Sequence, residues 1–129
     1  MATGFSSATA TSILDAICNA TAYSEAEVWV QLHTAEPGAA GTTAVAGNAT
    51  RKQASFAAAS AGTITTDAAV SWSSGEVDTS EDYTHYSLWD ASTVGNFIGS
   101  GAITANAVTS GDTFTIPTGD IDLSIPIAS

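Results

Sequence analysis

Apolar side chains alternate with polar or aromatic ones through several short runs, and this period of two constrains the fold more than any other feature. Val28, Val30 and Leu32 form one such run, and the isoleucines of residues 121–127 form another. Alternation of this kind places one face of a strand inward along its whole length. Because about seven runs are separated by Gly, Pro, Asn and Asp turns, we predict a mainly β fold, a jelly-roll-like β-sandwich over about residues 27–128.

Near the N-terminus the apolar spacing changes to three and four, which predicts an amphipathic helix over about residues 7–20. Its apolar positions are Ala10, Ile13, Leu14 and Ile17. Ser6 or Ser7 can cap its first turn. We expect the aliphatic side chains to pack on the domain or on a neighbouring subunit. Cys18 lies in the same stripe and is expected to be a buried small hydrophobic residue.

Two connections carry distinct turn chemistry. Residues 39–49 are small and punctuated by glycine, which predicts a long surface loop that is mobile until a neighbouring subunit covers it. Residues 83–89 and 96–103 form the clearest hairpin, joined by a turn in which Asp90 and Gly95 suit tight backbone geometry.

The charge balance excludes several partners. Among 129 residues, 13 are acidic and only two, Arg51 and Lys52, are basic, which gives a net charge of −11. Phosphate backbones and anionic membrane surfaces attract basic segments, so we expect neither nucleic acid nor membrane as a partner. Two origins remain open: an ordinary acidic shell protein, or a protein of a halophilic host with a high-salt cytoplasm. The length predicts a single domain over residues 1–129.

Targeting signals are not recognisable in the sequence. No apolar run reaches the length of a membrane span, and the N-terminus lacks the basic residue and long apolar core of a signal peptide. We therefore expect the chain to be made and assembled in the host cytoplasm.

The two histidines are the first candidates for catalysis. His33 has Glu36 nearby and His85 has Asp90 nearby, and either carboxylate could orient an imidazole toward a serine. However, the sequence contains no Gly-x-Ser-x-Gly nucleophile elbow. We predict no catalytic residue.

Metal and cofactor binding are the next candidates. Asp120 and Asp122, or the acidic residues of the 76–82 segment, could supply oxygen ligands to calcium, but neither set follows a calcium-loop pattern. Cys18 is the only cysteine, so a zinc site built on cysteines is excluded. With no glycine-rich phosphate loop either, we predict no metal site and no cofactor.

Large side chains also occupy the face opposite the most aliphatic one. They are Trp29, His33, Tyr83, His85 and Trp89. Aromatic residues of this kind are typical of subunit interfaces, and they also stack on sugar rings. We therefore predict that these five residues form either a subunit interface or a glycan-stacking surface.

The order of segments resembles a family of small tailed-phage proteins described as phage tail fibre or minor tail proteins. The matching segments are Ile13-Leu14-Asp15, residues 28–38 (VWVQLHTAEPG), residues 47–56 (GNATRKQASF), Val70-Ser71-Trp72, residues 84–90 (THYSLWD), residues 95–98 (GNFI) and Gly111-Asp112. The resemblance covers most of the chain, and none of these segments is a catalytic signature.

The resemblance implies a non-enzymatic structural protein of a tailed virus particle. It implies a virion location, either in the tail or as a capsid decoration or turret protein. Its expected partners are copies of itself, with a trimer favoured, and other virion proteins. The alternatives are a carbohydrate-binding module that adheres to a host-surface glycan, and a glycan hydrolase.

Overall fold

The computed structural model describes residues 2–129, which form nine strands and one helix. The strands are β1 (Gly4–Phe5), β2 (Trp29–His33), β3 (Lys52–Gln53), β4 (Thr63–Thr65), β5 (Val70–Trp72), β6 (Glu81–Trp89), β7 (Phe97–Val108), β8 (Phe114–Ile116) and β9 (Asp122–Ser124). The helix is α1 (Ser7–Cys18). The predicted mainly β fold with one N-terminal helix is confirmed, with nine strands where about seven were expected.

The strands form one large antiparallel sheet and two small ladders. The large sheet has the order β1-β7-β6-β2-β3, and the ladders pair β4 with β9 and β5 with β8. One face of the large sheet packs against the β5–β8 ladder, which gives a sandwich-like arrangement. The core between them contains Val30, Leu32, Val70, Trp72, Tyr86, Leu88, Phe114 and Ile116, all at most 5% exposed.

The predicted hairpin is confirmed as β6 and β7. The Asp90 carboxylate accepts hydrogen bonds from the backbone N–H of Asn96 at 2.7 Å and from its side-chain amide at 2.8 Å. Gly95 has a φ of +78°, a left-handed conformation that glycine adopts without steric cost. The turn chemistry of Asp90 and Gly95 therefore acts as the sequence predicts.

Two glycines of β7 allow neighbouring atoms to approach the strand closely. A Cβ at Gly99 would lie 2.8 Å from the Gly4 carbonyl oxygen of β1, and one at Gly101 would overlap the Tyr86 hydroxyl. That hydroxyl donates a 3.0 Å hydrogen bond to the carbonyl oxygen of Asp122. The small residues here let β1 and a buried tyrosine pack directly on the strand.

The helix begins as predicted but packs differently. Ser6 is its cap, with its hydroxyl oxygen accepting a 3.0 Å hydrogen bond from the backbone N–H of Thr9. Leu14 is 61% exposed and Ile17 73% exposed, so these two side chains do not pack on the domain, and packing on a neighbouring subunit, the other half of the prediction, stays a prediction. Cys18 is exposed, which corrects its predicted burial. No helix in the described residues is long and apolar enough to cross a membrane.

The C-terminal run faces inward only at its start. Ile121 is fully buried, but Ile125 is 48% exposed and Ile127 is 64% exposed, so the prediction of one inward face throughout is wrong. Strand β9 ends at Ser124, and Pro126 follows it. Proline has no N–H to donate to a ladder, which explains why the alternating pattern outlasts the strand.

The segment between β2 and β3 is held by its own chain, where we expected a neighbouring subunit to cover a mobile loop. Ala46 N–H donates to the Leu32 carbonyl at 3.0 Å, and Thr34 N–H donates to the Ala44 carbonyl at 3.0 Å. The Glu81 carboxylate accepts hydrogen bonds from two further N–H groups, those of residues 47 and 48. The segment thus runs back along β2 and extends the sheet.

Candidate functional site

The structure brings together four of the five predicted site residues. Trp29 faces Trp89 and His33 faces His85 across the β2–β6 ladder, so these four share one face of the large sheet. Tyr83 is the exception, because it lies in the aliphatic core, where its ring meets Phe114 edge-on with centroids 4.9 Å apart. The pairing of β6 with β7 shifts register between Tyr83 and His85, and such irregularities re-aim side chains.

A chain of hydrogen bonds crosses this face. The Trp89 indole Nε1–H donates to Ser87 Oγ at 2.7 Å, and Ser87 Oγ lies 2.7 Å from His33 Nε2. His33 Nδ1 lies 2.8 Å from the carbonyl oxygen of Thr43. A carbonyl only accepts, so Nδ1 carries the proton and Nε2 accepts from the serine hydroxyl. Arg51 lies over the Trp89 indole. We call His33, Ser87, Trp89 and Arg51 together the covered face.

Burial favours the neutral form of the His33 imidazole. His33 is fully enclosed, and burial lowers its pKa below the ordinary value of 6.5. Electrostatic interactions with His85 and Arg51 add to this lowering of the pKa, while the hydrogen bond to Thr43 opposes it. A neutral imidazole with one donor and one acceptor matches the two partners it has.

The pair of His33 and Ser87 has the side chains of a hydrolase dyad but not its surroundings. Both side chains have zero exposed surface, so a substrate carbonyl has no approach to Ser87 Oγ. The serine oxygen already accepts the Trp89 indole proton, and the imidazole is oriented by a backbone carbonyl of Thr43. Acyl transfer needs an accessible nucleophile beside donors aimed at the developing oxyanion. The arrangement instead ties β2, β6 and the 34–48 segment together.

Arg51 completes the covered face. Its guanidinium lies 4.2 Å from the centre of the Trp89 ring. Its Nη1 donates to the carbonyl oxygens of Ala91 at 2.9 Å and Val94 at 2.7 Å, and its Nε donates to Gln31 Oε1 at 3.3 Å. The residue therefore fixes the β6–β7 turn onto the sheet. The sequence patterns did not predict Arg51 as a site residue, although Arg51 is one of only two basic residues in the sequence, and that rarity could have pointed to it.

The tryptophan rings are largely occupied within the chain. Trp89 is 7% exposed, with Arg51 over its ring and Phe97 at a centroid distance of 5.5 Å. Trp72 is 1% exposed and donates its indole N–H to the Thr50 carbonyl at 2.7 Å. Trp29 is half-buried, with its indole N–H on Glu27. A sugar ring needs an open aromatic face, which Trp89 and Trp72 do not offer.

The acidic residues of the 76–82 segment serve local structure. Glu76 pairs with Lys52 at 2.6 Å, and this hydrogen-bonded contact lowers the pKa of Glu76 to about 2. Glu81 binds two backbone N–H groups, as described above. Among residues 2–129 no cluster of three or more His, Cys, Asp or Glu side chains could hold a metal ion.

Comparison with known proteins identifies the family. No curated protein matches the chain. A family model described as Podophage GP4 fiber I protein gp80 matches residues 4–124, which is nearly the whole chain and includes α1, the covered face and all nine strands. The chain therefore belongs to the podophage GP4 fiber I protein gp80 family, a family of phage tail fibre-type virion structural proteins.

Proposed function

We propose that this protein is a non-enzymatic building block of the tail fibre, which acts by assembling with copies of itself and with other virion proteins. We favour a trimer, because a closed ring of subunits around one axis matches the axial symmetry of a fibre. Membership of a fibre protein family supports a location in the tail over a location on the capsid as a decoration or turret protein.

The burial of His33 and Ser87 is the observation that supports a non-enzymatic function. These are the side chains most like a catalytic group, and both are enclosed and hydrogen-bonded within the chain. The five residues expected to form an interface or glycan surface contribute mainly to internal packing, with Trp29 and His85 partly exposed. No specific contact favours a glycan-binding role over assembly.

Imaging of intact particles tests the tail address. An antibody fragment against the β6–β7 turn, where Val94 is 84% exposed, is added to purified particles, and its position is found by electron microscopy. We expect the fragment, or the density it adds, at the fibres only. Density repeating around the head would overturn the tail address in favour of capsid decoration.

A depolymerisation assay tests the absence of catalysis. The purified chain is incubated with polysaccharide from the host surface, and polymer length is followed by size-exclusion chromatography. We expect no shortening. Cleavage by the wild-type chain that disappears in a folded Ser87→Ala variant would contradict the proposal and assign the buried pair a catalytic role.

A further inference from the structure

Exposed aliphatic side chains of α1 lie beside the C-terminal segment. We call Leu14, Ile17 and Ile125 the aliphatic surface; Ile17 follows Leu14 by three residues on the same side of the helix, and each of the three is between 48% and 73% exposed. A groove connects its two halves, since Leu14 and Ile13 of the helix line it together with Ile125. Single exposed apolar residues are normal, but a contiguous patch marks an interaction site.

Charge indicates what covers this surface. The chain carries 13 acidic and two basic residues, yet Asp15 is the only charged side chain in residues 1–22, and residues 123–129 carry none. Two copies with a net charge of −11 repel each other over most of their surface, so they approach most easily where charges are absent. A basic partner would gain most elsewhere, at the acidic 76–82 segment.

A membrane is a poorer occupant of the same surface. Helices that lie on membranes carry Lys or Arg on their polar face, which anionic lipids attract. Helix α1 has no basic residue, and its one charged side chain, Asp15, accepts a hydrogen bond from the Asn19 amide at 2.9 Å. A like-charged second copy therefore fits the surface better than an anionic bilayer does.

We propose that the aliphatic surface is the contact between copies of this chain, with α1 of neighbouring copies meeting around the symmetry axis. This rests on the proposed function, because it names the surface through which the subunit assembles. Burial of the exposed leucine and isoleucine side chains supplies the driving force. The small residue Ala10 lines the same groove and leaves room for a neighbouring helix to approach closely.

The first test compares oligomeric states. Full-length wild-type chain, the double variant Leu14→Ser/Ile17→Ser and the control Val94→Ser are analysed by light scattering over a range of concentrations. Val94 is 84% exposed in the β6–β7 turn and does not line this groove, so it matches the change in polarity without touching the surface. We expect association of wild type and control, and at least about a tenfold weaker association of the double variant. Circular dichroism checks that all three are folded.

Salt gives a second readout of the same contact. Screening shortens the reach of charge repulsion from about 30 Å at 0.01 M salt to about 3 Å at 1 M. Association through an uncharged surface should therefore strengthen as salt is raised. Weakening by salt would indicate an ionic contact and would overturn the proposal.

Cys18 allows the geometry to be probed directly. It is exposed at the end of α1 and is the only cysteine, so a short bis-maleimide should cross-link neighbouring copies in the wild type and not in the double variant. Equal association of wild type and double variant would overturn the proposal that copies meet through the aliphatic surface, but it would leave the proposed function standing. A wild type that stays monomeric overturns self-assembly as well, and binding to phosphatidylglycerol vesicles that the double variant loses would assign the surface to a membrane instead.

Discussion

The covered face and the aliphatic surface differ in exposure in the opposite sense to what their side chains suggest: polar side chains are buried in the first, and apolar side chains are exposed in the second. The covered face is built from a histidine, a serine, a tryptophan and an arginine, yet its His33 and Ser87 have no exposed surface. The aliphatic surface is built from leucine and isoleucine, yet each of its side chains is about half exposed or more. Polar groups can be buried where the chain supplies partners for them, and apolar groups stay exposed where no element of the same chain reaches them.

The largest expected effect lies on the covered face. Trp89→Ala should lower the free energy of unfolding by about 3–5 kcal/mol, because it removes a buried ring that contacts Arg51 and Phe97. Trp29→Ala is the control, since Trp29 faces Trp89 across the ladder but is only half-buried, and it should cost clearly less. Urea unfolding at one fixed protein concentration measures both. Equal losses would mean that the two sides of this ladder are equally enclosed.

Arg51→Lys should give the next largest effect. Lysine keeps the positive charge but cannot donate to the Ala91 and Val94 carbonyls while lying flat on Trp89, so we expect a loss of about 1.5–3 kcal/mol in the free energy of unfolding. The control is Lys52→Arg, which keeps the charge of the ion pair with Glu76 at the sheet edge and should change stability less. A larger loss from the control would show that the guanidinium geometry is not what holds the turn.

The pH dependence of stability should report the buried imidazole. The folded-state pKa of His33 lies below 6.5, so between the folded and unfolded pKa values the unfolded state binds more protons. This contribution is therefore fully present above about pH 6.5 and declines as the pH falls, by at most about 1.4 kcal/mol per pH unit. Urea midpoints between about pH 5 and 7 measure the slope, above the range in which most carboxylates titrate.

A matched pair of variants assigns that slope. His33→Gln should remove the decline below about pH 6.5, whereas His85→Gln should retain it. A slope that persists in His33→Gln would show that another group is responsible for it. Any overall loss of stability in His33→Gln does not affect this comparison, because the slope is read within each variant.

The smallest effect is expected on the aliphatic surface. Leu14→Ala in dilute, monomeric protein should change the free energy of unfolding by less than about 0.5 kcal/mol, because the side chain is exposed and alanine favours helices. Leu88→Ala makes the same chemical change in the core, at a fully buried position, and should cost about 2–5 kcal/mol. A cost for Leu14→Ala near that of Leu88→Ala would show that α1 is packed on the domain after all.

Local sequence determined several features of this protein. Alternation and turn residues predicted the mainly β fold and the β6–β7 hairpin, and Ser6 was correctly named among two candidate caps of α1. The aromatic and histidine residues were correctly placed opposite the aliphatic face, except for Tyr83. These features depend on contacts between residues close in sequence or on the period of two, so they can be predicted from a single sequence.

Which faces are buried was decided by the tertiary structure. The carbonyl of Thr43 and the guanidinium of Arg51 reach His33 and Trp89 only because the 34–51 segment runs back along β2. The apolar pattern of α1 and of residues 125–127 looks the same in sequence whether a neighbouring element covers it or not. Burial depends on which distant segments arrive at a face, and periodicity within one segment contains no information about that.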